Sequence, residues 1–353
     1  MKKAYRKAAC LLLCICLFSF SACLRQGMPR KLSAKAQEEK IQIGVTFDSF
    51  IIERWQRDRD VFVAAAQELG AQVNVQNTNG DMKEQIAQID YFIQKGMDVI
   101  VVVMVASDED RRGLVDAVGR AQKAGIPVVA YDRLILDANV DLYISFDNGQ
   151  VGRLMGEHMR EHLGGEGEIL QVCGPLADYN VPQVMAGFDQ AVRGEKLKVV
   201  KTEYAKSWLA ETGFTATAAY LSQYLPPGGI MAGNDSIAGN VIRALSEQRL
   251  AGKVCVVGQD ADLDACQRIA EGTQCMTVYK PVEKLARRAA EMSVALAKGE
   301  PLDVQGRMDD GTYEVPYECL EPEAVTRENM DEVITGKYHE ESDIYLNVRK
   351  QGR

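Results

Sequence analysis

Residues 41–47 read IQIGVTF, and three similar apolar runs follow: AQVNVQ at residues 71–76, DVIVVVM at residues 98–104 and PVVAY at residues 127–131. Each run is short, nearly continuous in its apolar character and rich in β-branched residues. Such runs are typical of strands that are buried on both faces of a parallel sheet. These stretches therefore predict four strands of an α/β fold.

The residues between these runs have the periodicity of amphipathic helices. One apolar stripe consists of Met82, Ile86, Ile89 and Ile93. A glycine also stands between each helix and the next strand, where the chain often turns through the left-handed region. These glycines are Gly70, Gly96 and Gly125. Alternating βα units predict a doubly wound parallel sheet with right-handed crossovers.

The same alternation continues beyond residue 147 and weakens past about residue 299. The number of predicted parallel strands is too large for one compact sheet in a chain of this length. A chain of 353 residues is long enough for two domains, each with its own core. We therefore predict an α/β protein with two βα lobes.

The N-terminus has the organisation of a secretion signal. A basic head (Lys2, Lys3, Arg6 and Lys7) precedes an apolar run at residues 8–20. The run is too short to span a bilayer. Small residues then precede Cys23, an arrangement that resembles the lipobox of bacterial lipoproteins. We expect residues 1–22 to be removed, Cys23 to be acylated, and residues 23–40 to form a flexible tether on the outer face of the bacterial cytoplasmic membrane.

Charge limits the class of partner. The net charge is −9, and removal of the four positive charges in the signal lowers it to −13. An acidic surface of this kind argues against nucleic acid as a partner, because phosphate binding needs clustered Lys and Arg.

Cysteine and histidine give no strong metal or disulfide pattern. Nine cysteines are present, and the five beyond Cys23 include no CxxC pair. Cys173 and Cys255 stand in strand-like runs, which suits buried thiols. His158 and His162 have the i,i+4 spacing of metal ligands, but no third ligand is evident. We therefore expect surface histidines and no metal.

Polar and aromatic side chains follow the predicted strands at their carboxyl ends, where ligands bind in open α/β sheets. They include carboxylates, amides, fixed cations and both tryptophans of the chain. A pyranose has apolar C–H faces that stack on aromatic rings, and hydroxyls that pair with carboxylates, amides, Arg and Lys. No glycine-rich phosphate loop is present. The set therefore favours a sugar as the ligand.

Two alternatives apply to these residues. Single polar residues at strand ends are often helix N-caps, and Asp235 or Ser236 fits that role. Paired carboxylates can also belong to a glycosidase. Here, however, Arg54, Arg133 and Lys280 would hold nearby carboxylates ionised, which disfavours a general acid.

Five longer strings resemble a known family: ERWQRDRD at residues 53–60, AYDR at 130–133, YISFDN at 143–148, GQDAD at 258–262 and TVYKP at 277–281. They are similar to the D-xylose-binding proteins of bacterial ABC sugar importers, within the type I periplasmic sugar-binding family. The similarity extends over about residues 41–337.

The resemblance implies two Rossmann-like lobes, joined by three hinge crossovers, with a sugar in the cleft. We expect the first lobe at residues 41–146, completed by 281–305. The second lobe is expected at residues 147–280, completed by 306–337. We expect residues 338–353 to form a loose charged tail.

The resemblance also implies site residues. Trp55 and Trp208 would sandwich the sugar ring. The side chains that would bind its hydroxyls are Arg54, Arg133, Asp178, Asn180, Asn234, Asp260 and Lys280. We expect no enzyme activity and no cofactor, and a monomer whose partners are an ABC permease and its ATPase.

Three other functions are alternatives for a chain with this pattern. A receptor that signals xylose to a sensor kinase or chemoreceptor would have the same fold and cleft, so it stays open. A sugar-responsive repressor needs an N-terminal helix-turn-helix, and residues 1–40 have a signal and tether instead. A sugar-processing enzyme is disfavoured because no catalytic pair stands out.

Overall fold

The computed structural model describes residues 40–194 and 196–348. The expected signal at residues 1–22, Cys23 and the tether up to residue 39 lie outside the described residues. Among the described residues, none of the helices has the length and apolar character needed to cross a bilayer.

Strands and helices alternate along most of the chain. The strands are β1 (Gln42–Phe47), β2 (Gln72–Asn77), β3 (Val99–Val102), β4 (Val128–Tyr131), β5 (Leu142–Phe146), β6 (Gly167–Cys173), β7 (Leu197–Tyr204), β8 (Gly229–Ala232), β9 (Cys255–Val257), β10 (Thr277–Tyr279), β11 (Gly306–Asp309), β12 (Glu314–Leu320) and β13 (Glu323–Val325). The helices are α1 (Arg54–Glu68), α2 (Met82–Lys95), α3 (Arg111–Lys123), α4 (Asn148–His162), α5 (Asn180–Ala191), α6 (Glu211–Leu221), α7 (Asp235–Glu247), α8 (Leu263–Glu271), α9 (Val282–Ala297), α10 (Met330–Val333) and α11 (Glu341–Ile344), with a 3-10 turn at Lys206–Trp208.

The first lobe contains a seven-stranded sheet in the order β11-β12-β5-β4-β3-β1-β2. Its neighbouring strands are parallel, except that β11 is antiparallel to β12. Alternate residues of β3 enter two hydrophobic clusters: Val99 and Val101 belong to one, and Ile100 and Val102 to the other. Because successive side chains point to opposite faces, both faces of this strand are buried, as predicted.

The glycines between helices and strands have the backbone conformation that the sequence predicted. Gly70, Gly96 and Gly125 have φ angles of 84°, 66° and 78°. A Cβ atom disfavours this region, and glycine has none. The helix can therefore end before each glycine, where the chain turns toward the next strand.

The second lobe contains a four-stranded parallel sheet in the order β7-β6-β8-β9. A parallel bridge between Val257 and Met276 places β10 beside β9, and β13 is antiparallel to β10. The described residues therefore form two βα lobes, as the alternation predicted.

The assignment of residues 306–337 to the second lobe is wrong for its first part. β12 is parallel to β5, with Tyr317 opposite Tyr143, so β11 and β12 complete the first sheet. Only β13 and the residues after it join the second lobe. This pairing has no signal in the sequence, because β11 and β12 form a half-exposed hairpin at the sheet edge, with no continuous apolar run.

The expected loose tail is also partly wrong. Among the described residues past 337, Tyr338 and Ile344 are buried. Ile344 packs in a cluster with Cys266 and Ile269 of α8, and the ring centroids of Tyr338 and Tyr279 lie 4.8 Å apart. Two isolated apolar residues in a charged segment have no periodicity, so the sequence did not reveal their burial.

Helices α4 and α5 of the second lobe approach each other through glycine. A Cβ at Gly152 would lie 1.8 Å from the carbonyl oxygen of Val184, and one at Gly187 would lie 2.0 Å from that of Gly149. Neither distance is sterically possible, and the obstructing atoms are backbone. The spacing of the two helices therefore depends on glycine at these positions.

Gly152→Ala should destabilise the protein by at least the roughly 1–3 kcal/mol typical of overpacking, because two backbones must separate. The measurement is the midpoint of denaturant unfolding. Gly119→Ala is the matched control: Gly119 lies inside α3 with open space around it, so that variant should be neutral or stabilised by about 0.5–1 kcal/mol. Equal midpoints for the two variants would contradict the prediction.

Candidate functional site

A cleft lies where the carboxyl ends of strands from both lobes meet. Clefts of this kind, lined by apolar side chains and a few convergent polar groups, are typical of small-molecule sites. All nine residues that the sequence analysis named line it: Arg54, Trp55, Arg133, Asp178, Asn180, Trp208, Asn234, Asp260 and Lys280. The fold therefore brings the whole predicted set together from seven segments of the chain, each of which follows a different strand.

Arg133 connects the two lobes. Its Nη1 donates to Asp48 Oδ2 at 2.6 Å and to the carbonyl oxygen of Met104 at 2.7 Å, both in the first lobe. Its Nε lies 2.6 Å from Asp178 Oδ2 in the second lobe. The same Asp178 oxygen accepts a hydrogen bond from Trp208 Nε1 at 3.0 Å. A buried carboxylate–guanidinium–carboxylate–indole chain thus spans the cleft.

Arg54 is fixed from two sides. Its Nη2 donates to Asp132 Oδ1 at 2.8 Å, and its Nε donates to Asp58 Oδ2 at 3.2 Å. The other oxygen of Asp58 accepts a hydrogen bond from the Tyr131 hydroxyl. The guanidinium carbon lies 4.3 Å from the ring centroid of Trp55, within cation–π distance. These contacts fix the orientation of Arg54, and its side chain lines the cleft.

Further polar contacts join residues from opposite sides of the cleft. Arg54 Nη1 of the first lobe lies 3.8 Å from Asp260 Oδ1 of the second, and that oxygen also lies 3.1 Å from Lys280 Nζ of its own lobe. Asn180 Nδ2 donates to the carbonyl oxygen of Asp132 at 3.1 Å and to its Oδ2 at 3.3 Å. The lobes are therefore in direct contact around the cleft, in a closed arrangement.

The N-cap explanation applies to one predicted residue. Asn234 Oδ1 accepts a hydrogen bond from the backbone N–H of Ile237 at 2.9 Å, so this side chain caps α7. Asp235 is not a cap. It is buried, and it accepts hydrogen bonds from Thr277 Oγ1 at 2.7 Å and Gln274 Nε2 at 2.8 Å. Capping by Asn234 fixes its orientation while the residue also lines the cleft.

Charge pairing sets the pKa values of the buried acids. Burial alone would raise the pKa of Asp132, but the charges of Arg54, Lys280 and Arg133 outweigh burial and lower that pKa below its ordinary value. At Asp58 burial outweighs Arg54, and the pKa rises to about 6. The cleft carboxylate of Asp132 is therefore an ionised hydrogen-bond acceptor, as the sequence analysis expected of carboxylates near these cations.

Trp208 has a strained backbone and a tightly fitted ring. Its φ angle is 59°, and that of Ser207 is 48°, both in the left-handed region that non-glycine residues rarely adopt. The ring packs against Gly174, where a Cβ would come within 2.4 Å of Trp208 Cη2. Glycine at position 174, directly after β6, thus leaves the space that the indole occupies.

Three residues that shape the cleft are not among the predicted site residues: Asp132, Gln259 and Gly174. All three line it. Asp132 and Gln259 stand at strand ends, beside Arg133 and Asp260, and this position was the available signal. The requirement for Gly174 had no signal, because it depends on the position of Trp208, which is distant in sequence.

Several buried polar atoms of the cleft have no hydrogen-bond partner among the described residues. They are Trp55 Nε1, Asn180 Oδ1 and Gln259 Oε1. These three residues are at most 7% exposed. Leaving a buried donor or acceptor unpaired costs roughly 1–3 kcal/mol, which a ligand that bonds to these atoms would recover. One of these atoms is a hydrogen-bond donor and two are acceptors, so they match a ligand whose groups both donate and accept hydrogen bonds, as hydroxyls do.

The chain is similar to known sugar-binding proteins over most of its length. It is 40% identical over 319 residues to the D-xylose-binding periplasmic protein of Haemophilus influenzae, covering 89% of this chain and 95% of that one. It is 38% identical to the protein of the same name from Escherichia coli, covering 88% and 94%.

Solved structures of solute-binding proteins have the same fold as this chain. A solute-binding protein of an ABC transporter from Clostridium phytofermentans, with bound β-D-glucose, has a TM-score of 0.75 and 26% identity, covering 86% of this chain and 99% of that one. One from Chloroflexus aurantiacus, in complex with D-glucose, has a TM-score of 0.75 and 25% identity, covering 86% and 98%. Residues 43–301 match the family described as "Periplasmic binding protein domain". The chain therefore belongs to the periplasmic binding protein family and has its type I fold of two α/β lobes around a ligand cleft.

Proposed function

We propose that this protein binds D-xylose, or a similar monosaccharide, in the cleft between its lobes and delivers it to an ABC importer. The observation on which the proposal rests is the set of buried groups in the cleft: two indoles, fixed cations, carboxylates and amides with unpaired polar atoms. The two relatives named for D-xylose binding, at 40% and 38% identity, support the choice of sugar.

The proposed binding mode follows from the chemistry of a pyranose. Its apolar C–H faces would stack on Trp55 from the first lobe and Trp208 from the second. Its hydroxyls would donate to ionised carboxylates such as Asp132 and accept from Arg54 and Lys280. The relatives are binding proteins by name, and the family is one of transport receptors, so no bond of the sugar is broken.

The closed arrangement supports a role in delivery. Arg133 with Asp178, and Asn180 with Asp132, already join the lobes. A sugar that contacts both lobes adds favourable interactions only in the closed state, so it shifts the open–closed equilibrium toward closure. The permease would then recognise the surface that the closed pair of lobes presents.

The first test is isothermal titration of residues 24–353 with D-xylose, L-arabinose, D-ribose, D-glucose and D-galactose. We expect saturable one-to-one binding that is tightest for D-xylose. Tighter binding of another sugar in the series would change the named substrate but keep the function. Absence of heat with all five sugars would contradict the proposal.

Trp208→Ala should weaken sugar binding at least tenfold, about 1.4 kcal/mol, because it removes one stacking surface and one hydrogen bond to Asp178. The measurement is the same titration. Tyr224→Ala is the control, since Tyr224 is an exposed aromatic residue of the same lobe outside the cleft. Unchanged affinity in Trp208→Ala would remove that ring from the binding mode.

We further propose that the mature protein begins at Cys23 and is anchored by lipid on that residue, as a monomer. The support is the basic head, the short apolar run and the small residues before Cys23. Lipidation would keep the receptor at the membrane that contains its permease.

Cys23→Ser should abolish acylation, so that the protein no longer partitions into detergent or incorporates labelled palmitate in a bacterial host. Cys16→Ser, within the apolar run, is the matched control and should stay acylated. Equal labelling of both variants would place the lipid elsewhere or exclude it.

A further inference from the structure

Four side chains of metal-ligand type meet in the second lobe, outside the cleft. His158 and His162 lie on α4, Cys255 begins β9, and Cys275 stands two residues before β10. One ligand atom from each residue, an imidazole nitrogen or a thiol sulfur, lies within 4.8 Å of all the others. The distance from Cys275 Sγ to His162 Nδ1 is 3.9 Å.

The fold explains why these four residues meet. Residues four apart on a helix share a face, which places both imidazoles on one side of α4. The backbone N–H of Cys275 donates to the carbonyl oxygen of Val256 at 2.9 Å, so the two cysteines lie on neighbouring segments. The strands β9 and β10 pack against α4. The third and fourth ligands that the sequence did not reveal therefore come from distant strands.

We propose that His158, His162, Cys255 and Cys275 form a tetrahedral Zn²⁺ site. Two thiolates and two imidazoles are a common ligand set of structural zinc, and tetrahedral S₂N₂ coordination selects zinc over hard cations. Zn–S and Zn–N bonds of about 2.3 and 2.0–2.1 Å require ligand atoms roughly 3.3–3.8 Å apart. The present spacing of at most 4.8 Å needs a contraction of no more than about 1.5 Å, which side-chain rotation supplies.

The four residues of the cluster differ in solvent exposure. Cys255 is 1% exposed, Cys275 and His158 are half-buried, and His162 is exposed. Because His162 is exposed, an ion could reach the cluster from solvent. The buried Cys255 thiolate would bind the ion from the protein interior. A closed four-ligand set of this kind leaves no open position for a substrate, which indicates a structural ion and not a catalytic one.

The location also separates this site from sugar binding. Cys255 and Cys275 stand at the amino ends of β9 and β10, whereas Gln259 and Lys280 follow the carboxyl ends of these strands in the cleft. An ion here would tie the end of α4 to the two strands. Because it binds the folded state, it would stabilise the second lobe in proportion to the logarithm of its concentration.

The test uses residues 24–353, which omit Cys23, reduced and freed of metal. Zn²⁺ is added, unbound ion is removed by dialysis, and the bound metal is counted. We expect one Zn²⁺ per chain and a higher thermal midpoint. Co²⁺ in place of Zn²⁺ should give the sulfur-to-metal charge-transfer bands and intense d–d bands of a tetrahedral thiolate site.

Cys275→Ser and His158→Gln should each weaken metal binding by more than the roughly 10–100-fold that loss of an outer-sphere partner costs. Cys319→Ser is the matched control, because Cys319 is a partly buried free thiol in β12 of the other lobe. It should bind Zn²⁺ and shift its thermal midpoint like the wild type.

Two results would overturn the proposal. One is that the reduced protein retains no Zn²⁺ although its thiols are free by titration. The same holds if the protein is first isolated with a Cys255–Cys275 disulfide and that bond is then reduced. The other is metal binding that Cys275→Ser and His158→Gln leave unchanged, which would place the ion elsewhere. Sugar titration of the same variants distinguishes this failure from failure of the proposed function, since the cluster lies outside the cleft.

Discussion

The buried ion pairs around the cleft are the constraint on which the site depends. Arg133 pairs with Asp48 in its own lobe and with Asp178 in the other, and Arg54 pairs with Asp132. Each of these side chains is at most about a tenth exposed, so each charge needs a partner. Removing one member of such a pair typically costs roughly 3–5 kcal/mol, because the other charge stays buried and unpaired. The network therefore fixes the shape of the cleft, and its cations keep the carboxylate of Asp132 ionised.

Local backbone strain occurs at the residues that place these groups in the cleft. Asp132, Trp208 and Asp260 all line the cleft, and their φ angles are 64°, 59° and 101°. Such conformations cost roughly 1–3 kcal/mol each and persist only where the surrounding structure determines them. At Trp208 the surroundings include Gly174, which leaves room for the ring, and Asp178, which accepts its N–H. The strain coincides with the residues expected to contact the ligand.

The two ends of the second lobe differ in chemistry. The carboxyl ends of its strands contribute Asn234, Gln259 and Asp260 to the cleft, a polar surface suited to hydroxyl groups. The amino ends of β9 and β10 place two thiols beside two imidazoles, a soft set of ligands. Parallel strands make this separation possible, because all their carboxyl ends lie at one edge of the sheet. Tight packing of α4 on α5 through glycine keeps the helix that bears the imidazoles in a fixed position.

The sequence by itself determined the βα alternation, the strands buried on both faces, the turns at Gly70, Gly96 and Gly125, and the occurrence of polar and aromatic residues at strand ends, among which the family resemblance implied the nine site residues. These features are local: periodicity, glycine at helix ends and side-chain type each depend on a few neighbouring residues. Only the tertiary structure decided that β11 and β12 complete the first sheet, that Gly174 makes room for Trp208, and that Cys255 and Cys275 join the histidine pair. Each of these depends on contacts between residues far apart in the chain, and such contacts leave no periodic pattern in the sequence.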